Sequence, residues 1–167
     1  MIKRMIGAAK LDTSVYEEVE ADSSATRQAM TVVVVVALAT GIGMFRTGGL
    51  VGLVVGIPVS IGLWALWAWI TYLIGTTILK TAETEANWGQ LARTLGFAQS
   101  PGVLKVFGFI PGIGLLFFSI ASIWQFVTMV IAIRQALDFT STWRAVGVAI
   151  AGFIPYALVT SLIFSLV

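Results

Sequence analysis

The sequence predicts an all-α fold, a polytopic integral membrane helix bundle of about five membrane segments, the third of them short or broken. The composition is the first reason: 58% of the 167 residues are hydrophobic and 11% are charged, whereas soluble domains carry about 25% charged residues. The second reason is that several apolar runs reach the ~18 residues that a helix needs to cross a bilayer. A lone strand would leave its backbone groups unpaired in lipid, so we expect these runs to be helical.

Residues 1–27 form a polar tail, which we predict to be cytoplasmic. The apolar residues of its first ten, MIKRMIGAAK, fall on one helical face beside basic ones. That pattern is typical of a short helix on an anionic membrane surface, and a frayed terminus is the alternative. The acidic residues at 17–22 are interpreted as a solvated face, with weak binding of a hard cation as the minor alternative.

A single membrane domain, residues 28–167, follows the tail. Its predicted segments are about 28–45, 50–79, 91–110, 111–133 and 145–167. The second run has thirty residues and would be ~45 Å long as one helix. Because a hydrocarbon core is ~30 Å thick, this helix must tilt, bend or protrude, and Pro58 is the expected bend.

The third segment, 91–110, is the ambiguous one, because it carries Arg93 and Lys105 and is broken at Pro101-Gly102. We interpret it as two short helices, the first lying at the membrane interface and the second dipping into the membrane. If it does not cross, seven Lys and Arg residues lie on the N-terminal side against three opposite. If it crosses, eight lie on that side against Arg46 alone, and one is within the membrane.

The positive-inside rule therefore favours five spans in the cell membrane, with the N-terminus cytoplasmic and the C-terminus on the outer side. The lysine that would then lie within the membrane, Lys105, is the argument against this topology.

The residue inventory excludes most catalytic chemistry. The chain has no cysteine and no histidine, which excludes disulfides, the usual structural zinc sites and imidazole ligation of haem. No nucleophile–base pair, paired carboxylates or HExxH, P-loop or GxGxxG motif is present, and no predicted span has an acid at mid-depth. The scattered basic residues do not form the patch that nucleic acids need. We expect no enzyme, no cofactor, no metal and no nucleic-acid partner.

Small residues and prolines mark expected helix contacts and bends. Two glycine pairs have the small-xxx-small spacing that lets helices approach closely, and we favour packing within the chain over a dimer face. These pairs are Gly52 with Gly56 and Gly108 with Gly112. The prolines are expected to bend or break helices. They are Pro58, Pro101, Pro111 and Pro155.

Three tryptophans lie within the second apolar run instead of at its ends. Trp64, Trp67 and Trp69 are weak candidates for contacts with a lipid, quinone or pigment. The alternative is that they pack against neighbouring helices or that the long helix protrudes.

A charged corner, IRQALDFTSTWRAVG, separates the last two apolar runs. Arg134 suits the carbonyl end of the preceding helix, and Thr140 to Thr142 offer N-caps for the next. Asp138 lies between Arg134 and Arg144 and is expected to pair with either. We interpret the corner as structural, setting the angle between the two helices.

The chain also resembles prokaryotic members of the Yip family, named for Ypt/Rab-interacting proteins. The resemblance rests on LARTLGFA, then Pro101-Gly102, IPGIG, SIW (Ser122–Trp124) and IRQAL. It implies a bundle of about five helices with a cytoplasmic N-terminus. Eukaryotic members bind small GTPases and act in vesicle traffic and membrane shaping. This chain lacks their D-L-Y-G-P tail element, so small-GTPase binding is not carried over.

Three functions remain. The first is a non-enzymatic scaffold or accessory subunit, which would stabilise a larger membrane complex, such as a respiratory or photosynthetic one, through helix packing and lipid or cofactor contacts. Its partners would be membrane lipids and other integral membrane subunits. The alternative is a Yip-type membrane-organising or trafficking protein. A channel or transporter ranks lowest.

Overall fold

A computed structural model describes residues 1–165, apart from the side chains of residues 163 and 164. Within that range the chain is helical and contains no strand. In chain order the elements are α1 (Ile2–Ala9), α2 (Thr13–Ala21), α3 (Ala25–Gly43), α4 (Phe45–Leu73) with a π-helical turn (Ile74–Ile78), α5 (Trp88–Ala98), a 3-10 segment (Ser100–Phe109), α6 (Gly114–Ala136) and α7 (Thr142–Ser165).

The predicted fold class, a polytopic bundle of membrane helices, is confirmed. Among the described residues four helices are long and apolar enough to cross a membrane. They are Ala25–Gly43, Phe45–Ile78, Gly114–Ala136 and Thr142–Leu162. The protein is therefore a multi-pass membrane protein.

The bundle has two ends, which we name by what they carry. The tail face carries α1 and α2, and the far face carries Gly43 and Gly114. Helix α4 returns antiparallel to α3, since Gly41 lies against Leu53 near the far face and Gly75 meets Leu137 near the tail face.

The third segment is broken as predicted, with α5 ending at Ala98 and Pro101 lying in the first turn of the 3-10 segment. Together the two pieces run along α3 in the same direction, from the tail face to the far face. Three contacts mark this course: Gly96 on Ala29, Gly102 on Val36 and Gly108 on Gly43.

The expectation that α5 lies at the membrane interface is wrong. Every residue from Leu91 to Ala98 is buried, because α2, α3, α4 and α6 all pack against this helix. A helix lying on a surface would keep one face open to solvent.

Helix α4 has a break at a position where none was expected. Pro58 lies inside α4 with helical backbone angles, and the break lies at Gly49, whose φ of 57° and ψ of −159° are non-helical. Glycine adopts such positive φ values readily because it has no Cβ. A second irregularity, the π-helical turn at Ile74–Ile78, ends the run on the tail face.

Candidate functional site

The N-terminal hairpin, α1 and α2 together, is docked onto the tail face. Tyr16 of α2 is fully buried, and its hydroxyl donates to the Ala8 carbonyl at 2.9 Å, with the Thr128 carbonyl of α6 at 3.3 Å. The indole N–H of Trp124, also on α6, donates to the Ala9 carbonyl at 2.8 Å. Burial raises the pKa of Tyr16, so its hydroxyl stays a donor. The last carbonyls of α1 are thus bound by side chains.

Arg93 of α5 holds the other helix of the hairpin. Its side chain is buried, with 8% exposure, and its Nε donates to the Val19 carbonyl at 2.9 Å while a second guanidinium nitrogen donates to the Glu20 carbonyl. These carbonyls lie in the last turn of α2, where helical backbone acceptors have no partner within the helix. The cation also lies at the negative end of the helix dipole.

Glu20 lies in the same contact between α2 and α5. Its carboxylate accepts a hydrogen bond from Gln90 at 3.0 Å. Burial, helped by the nearby Asp138 and Glu17 carboxylates, raises the pKa of Glu20 to about 7 against the lowering effect of Arg93. The carboxyl therefore changes its charge near neutral pH.

Arg4 connects α1 to the rest of the tail. Its guanidinium forms ion pairs with Glu18 at 2.7 Å and with Asp22 at 2.9 Å, and it donates to Gln28 of α3 at 3.2 Å. The acidic residues 17–22 thus act partly as partners of Arg4 and Gln90. The Ser24 hydroxyl and the Arg4 guanidinium hold the pKa of Asp22 below its usual range.

The outer surface of α1 is apolar and basic. Ile2 is 68% exposed and Ile6 is 51% exposed, and the exposed Lys3 and Lys10 lie beside them. Ala8 is fully buried on the opposite side. This combination of an inward face fixed by the bundle and an outward apolar, basic face is typical of an interfacial membrane helix.

The charged corner holds a different arrangement from the predicted one. Among the described residues Asp138 forms no ion pair; it is exposed and has a φ of 53°. The reason is a Schellman motif at the end of α6, in which the Phe139 N–H bonds the Arg134 carbonyl at 2.9 Å. The Arg134 side chain instead donates to the Phe139 carbonyl and to Thr142. Arg144 donates to the Leu79 carbonyl at 3.4 Å, so the corner joins α6, α7 and the end of α4.

A cavity of about 400 Å³ lies between the membrane segments. Helices α3, α4, α6 and α7 and the broken third segment all contribute to its wall. Its polar lining residues are Thr40, Ser60, Trp64, Trp67, Gln99, Lys105, Ser122, Gln125 and Tyr156. Within the part of the chain that the structure describes, no carboxylate side chain lines the cavity.

Two of the three central tryptophans line this cavity, and the third does not. Trp64 and Trp67 are buried at 7% exposure, whereas Trp69 faces outward at 52%. Trp67 packs edge-on against Tyr156 with ring centroids 5.2 Å apart. In the part of the chain that the structure describes, the indole N–H groups of Trp64 and Trp67 and the Thr71 hydroxyl are buried without a hydrogen-bond partner.

The glycine pairs have different surroundings from those predicted. The prediction that Gly52 and Gly56 pack within the chain is wrong, because a Cβ at either position would have no described atom within 4 Å. Gly112 is equally open and has a φ of 84°, so it makes the turn before α6. Gly108 does pack, against the backbone of Gly43.

The remaining prolines lie where the backbone changes direction or inside the last helix. Pro101 starts the 3-10 segment, Pro111 lies in the turn before α6, and Pro155 lies inside α7. The role of Tyr16 and Arg93 in holding the hairpin was not predicted from the sequence. An arginine within a mainly apolar segment was the available signal for Arg93, since a buried charge needs partners.

Comparisons with known proteins agree with this architecture. The family model described as the Yip1 domain matches residues 13–163, from the start of α2 to near the end of α7. No curated protein and no solved structure matches the chain. The match covers the second helix of the hairpin and the whole helical bundle, and the chain therefore belongs to the Yip1 domain family.

Proposed function

We propose that this protein is a non-enzymatic membrane-organising protein of the Yip type, which acts on the bilayer through its docked N-terminal hairpin. The observation that carries the proposal is the outward face of α1, with Ile2 and Ile6 exposed beside Lys3 and Lys10. An apolar face inserted at the level of the headgroups spreads one leaflet, and the basic residues favour anionic lipids.

Docking makes such an insertion effective. A tethered, freely moving helix would lose conformational entropy when it binds the surface. Here Tyr16 and Arg93 already hold the hairpin on the bundle, so the position of α1 is set in advance. The hairpin is held by the chain's own helices, so its order does not require a partner protein.

The test is to reconstitute the full chain into vesicles of neutral or partly anionic lipid and measure vesicle diameter by electron cryomicroscopy as protein content rises. We expect diameters to fall with the wild type in anionic vesicles. The double variant I2Q/I6Q should lose this effect, and the matched variant I2V/I6V, which keeps the face apolar, should retain it. Equal diameters for I2Q/I6Q and I2V/I6V would contradict the proposal.

The orientation that we propose has the tail face in the cytoplasm and the far face outside. The chain has no native cysteine, so single cysteines report sidedness cleanly. A membrane-impermeant maleimide should label T47C, in the far-face turn, on intact cells. It should label S23C, in the tail, only after lysis. The reverse pattern would invert the orientation.

A scaffold or accessory-subunit role is the second candidate, favoured by the outer face of α4. Only 6% of the most apolar stretch of this helix is buried, and Gly52 and Gly56 leave open space on it. Small residues on an open face suit packing against a helix of another subunit; they favour no particular host, respiratory or photosynthetic. Mild extraction and native mass spectrometry test this role, and partners at fixed ratio would support it.

A further inference from the structure

We propose that the central cavity binds a single-chain amphiphile with an anionic carboxylate or phosphate headgroup, taken up from the surrounding membrane. The cavity is distinct from the outward face of α1, on which the proposed membrane-organising function rests.

The charge of the cavity wall is the first argument. Of the wall-lining residues that the structure describes, Lys105 is the one cation and none is an acid. Among the described residues Lys105 forms no ion pair; its Nζ lies 4.9 Å from the centre of the Phe118 ring. A cation inside a helix bundle is costly without a counter-charge, and the cation–π contact offsets only part of that cost. An anionic headgroup would complete the compensation.

Unused hydrogen-bond donors are the second argument. Trp64 and Trp67 lie on one face of α4 and line the cavity, and each has a buried indole N–H without a partner in the described part of the chain. A buried donor left unpaired costs about 1–3 kcal/mol. Acceptor oxygens of a ligand would relieve this cost.

Two of the neighbouring polar side chains already use their donor groups within the protein. The amide of Gln125 donates to Gln99 Oε1 at 2.7 Å and the Ser122 hydroxyl donates to the Phe118 carbonyl at 2.8 Å. The donors on α4 and the ammonium of Lys105 therefore remain for a ligand. Since all of these groups donate, the complementary headgroup is one that accepts.

Size and location limit the ligand to one chain. A volume of about 400 Å³ lies in the lower part of the ~300–1,000 Å³ range of small-molecule pockets. It suits one hydrocarbon chain better than the two of a typical phospholipid. Apolar residues of α3, α6 and α7, including Val36, Phe126 and Phe153, complete the wall. Fatty acids and lysophospholipids share the required chemistry.

The experiment measures binding of tritiated palmitate to the purified full chain by scintillation proximity in a neutral detergent. We expect saturable binding that unlabelled palmitate displaces and methyl palmitate, which lacks the charge, does not. Displacement by lysophosphatidylglycerol would show that a phosphate headgroup is also accepted, and its failure would restrict the site to carboxylates. Absence of saturable binding, or equal displacement by methyl palmitate, would overturn the proposal.

Variants of the wall then identify the site. K105Q should weaken palmitate binding by about 10- to 100-fold, as expected for loss of a charged hydrogen bond, and K105R should retain most of it. W64F/W67F should weaken it about tenfold. The matched control W69F removes an outward-facing tryptophan and should bind like the wild type. If K105Q does not fold, the tryptophan variants decide; equal affinity of W64F/W67F and W69F would refute the assignment.

Discussion

Replacing Arg93 by methionine should release the N-terminal hairpin from the bundle. The guanidinium donates two hydrogen bonds, to the carbonyls of Val19 and Glu20, and bonds to a charged group contribute about 1.5–3 kcal/mol each. Methionine fills much of the same volume without donating. Part of the loss is recovered because water reaches the freed carbonyls, so we expect docking to weaken by about 3 kcal/mol.

The assay uses the absence of native cysteines. V19C places a thiol of similar size to valine at a fully buried position of α2, where a maleimide reacts only when the hairpin opens. Because the labelling rate follows the open population, a loss of 3 kcal/mol should speed labelling by on the order of 100-fold.

Two further variants complete this experiment. R93K keeps a cation but not the fork of donors, and should give an intermediate rate. R46M removes an exposed arginine of the far face and should leave labelling unchanged. If V19C labels as slowly with R93M as without it, Arg93 does not hold the hairpin, and the docking argument fails.

Three other predictions concern stability, measured as the melting temperature in detergent. Glu20→Gln should stabilise the protein above pH 7 by about 1–2 kcal/mol, after allowance for the partial exposure of the carboxyl. Folding raises the pKa of Glu20 from 4.5 to about 7. The wild-type protein therefore has its full stability below pH 4.5, where Glu20 is protonated in both states, and loses stability as the pH rises through 7. The difference between variant and wild type should therefore vanish near pH 4, and a gap independent of pH would refute it. Gly43→Ala should cost about 3 kcal/mol or more of folding stability, since its Cβ would overlap the Lys105 carbonyl. The matched variant Gly52→Ala adds a Cβ with no described atom within 4 Å and should be neutral or slightly stabilising. Equal effects of the two variants would contradict the close approach of Gly43 to the Lys105 carbonyl. Tyr16→Phe removes the bond to Ala8 and should cost about 1–2 kcal/mol, and an unchanged melting temperature would show that this bond contributes nothing.

The membrane helices were predictable because the signal is local. Length and hydropathy of a run decide whether it can cross a bilayer, and the predicted run 111–133 corresponds to α6 at Gly114–Ala136. The break in α4 at Gly49 was not predicted. The positive φ of Gly49 depends on the turn between α3 and α4.

The docking residues could not be predicted with the same certainty because they act over long sequence separations. Arg93 bonds a carbonyl 74 residues earlier, and the pattern around it is equally compatible with an interfacial helix. The Asp138 pairing failed for a similar reason: nearness in sequence to two arginines suggested ion pairs, but a left-handed backbone at the helix end directs the chain elsewhere. The tryptophans gave a candidate site, and only the packing separates Trp69 from Trp64 and Trp67.

The broken third segment links the hairpin to the cavity. A helix that ends inside a bundle leaves carbonyls without partners, and such backbone is tolerated at membrane depth only where protein surrounds it. Here α6 supplies the partners: Thr128 donates to the Ala98 carbonyl at 2.7 Å and Gln125 to the Gln99 carbonyl at 3.2 Å. The Thr128 carbonyl lies against Tyr16 of the hairpin, and Gln125 lines the cavity. One turn of α6 therefore stabilises the break and contacts both the hairpin and the cavity wall, so we expect hairpin docking and ligand binding in the cavity to influence each other through these few hydrogen bonds.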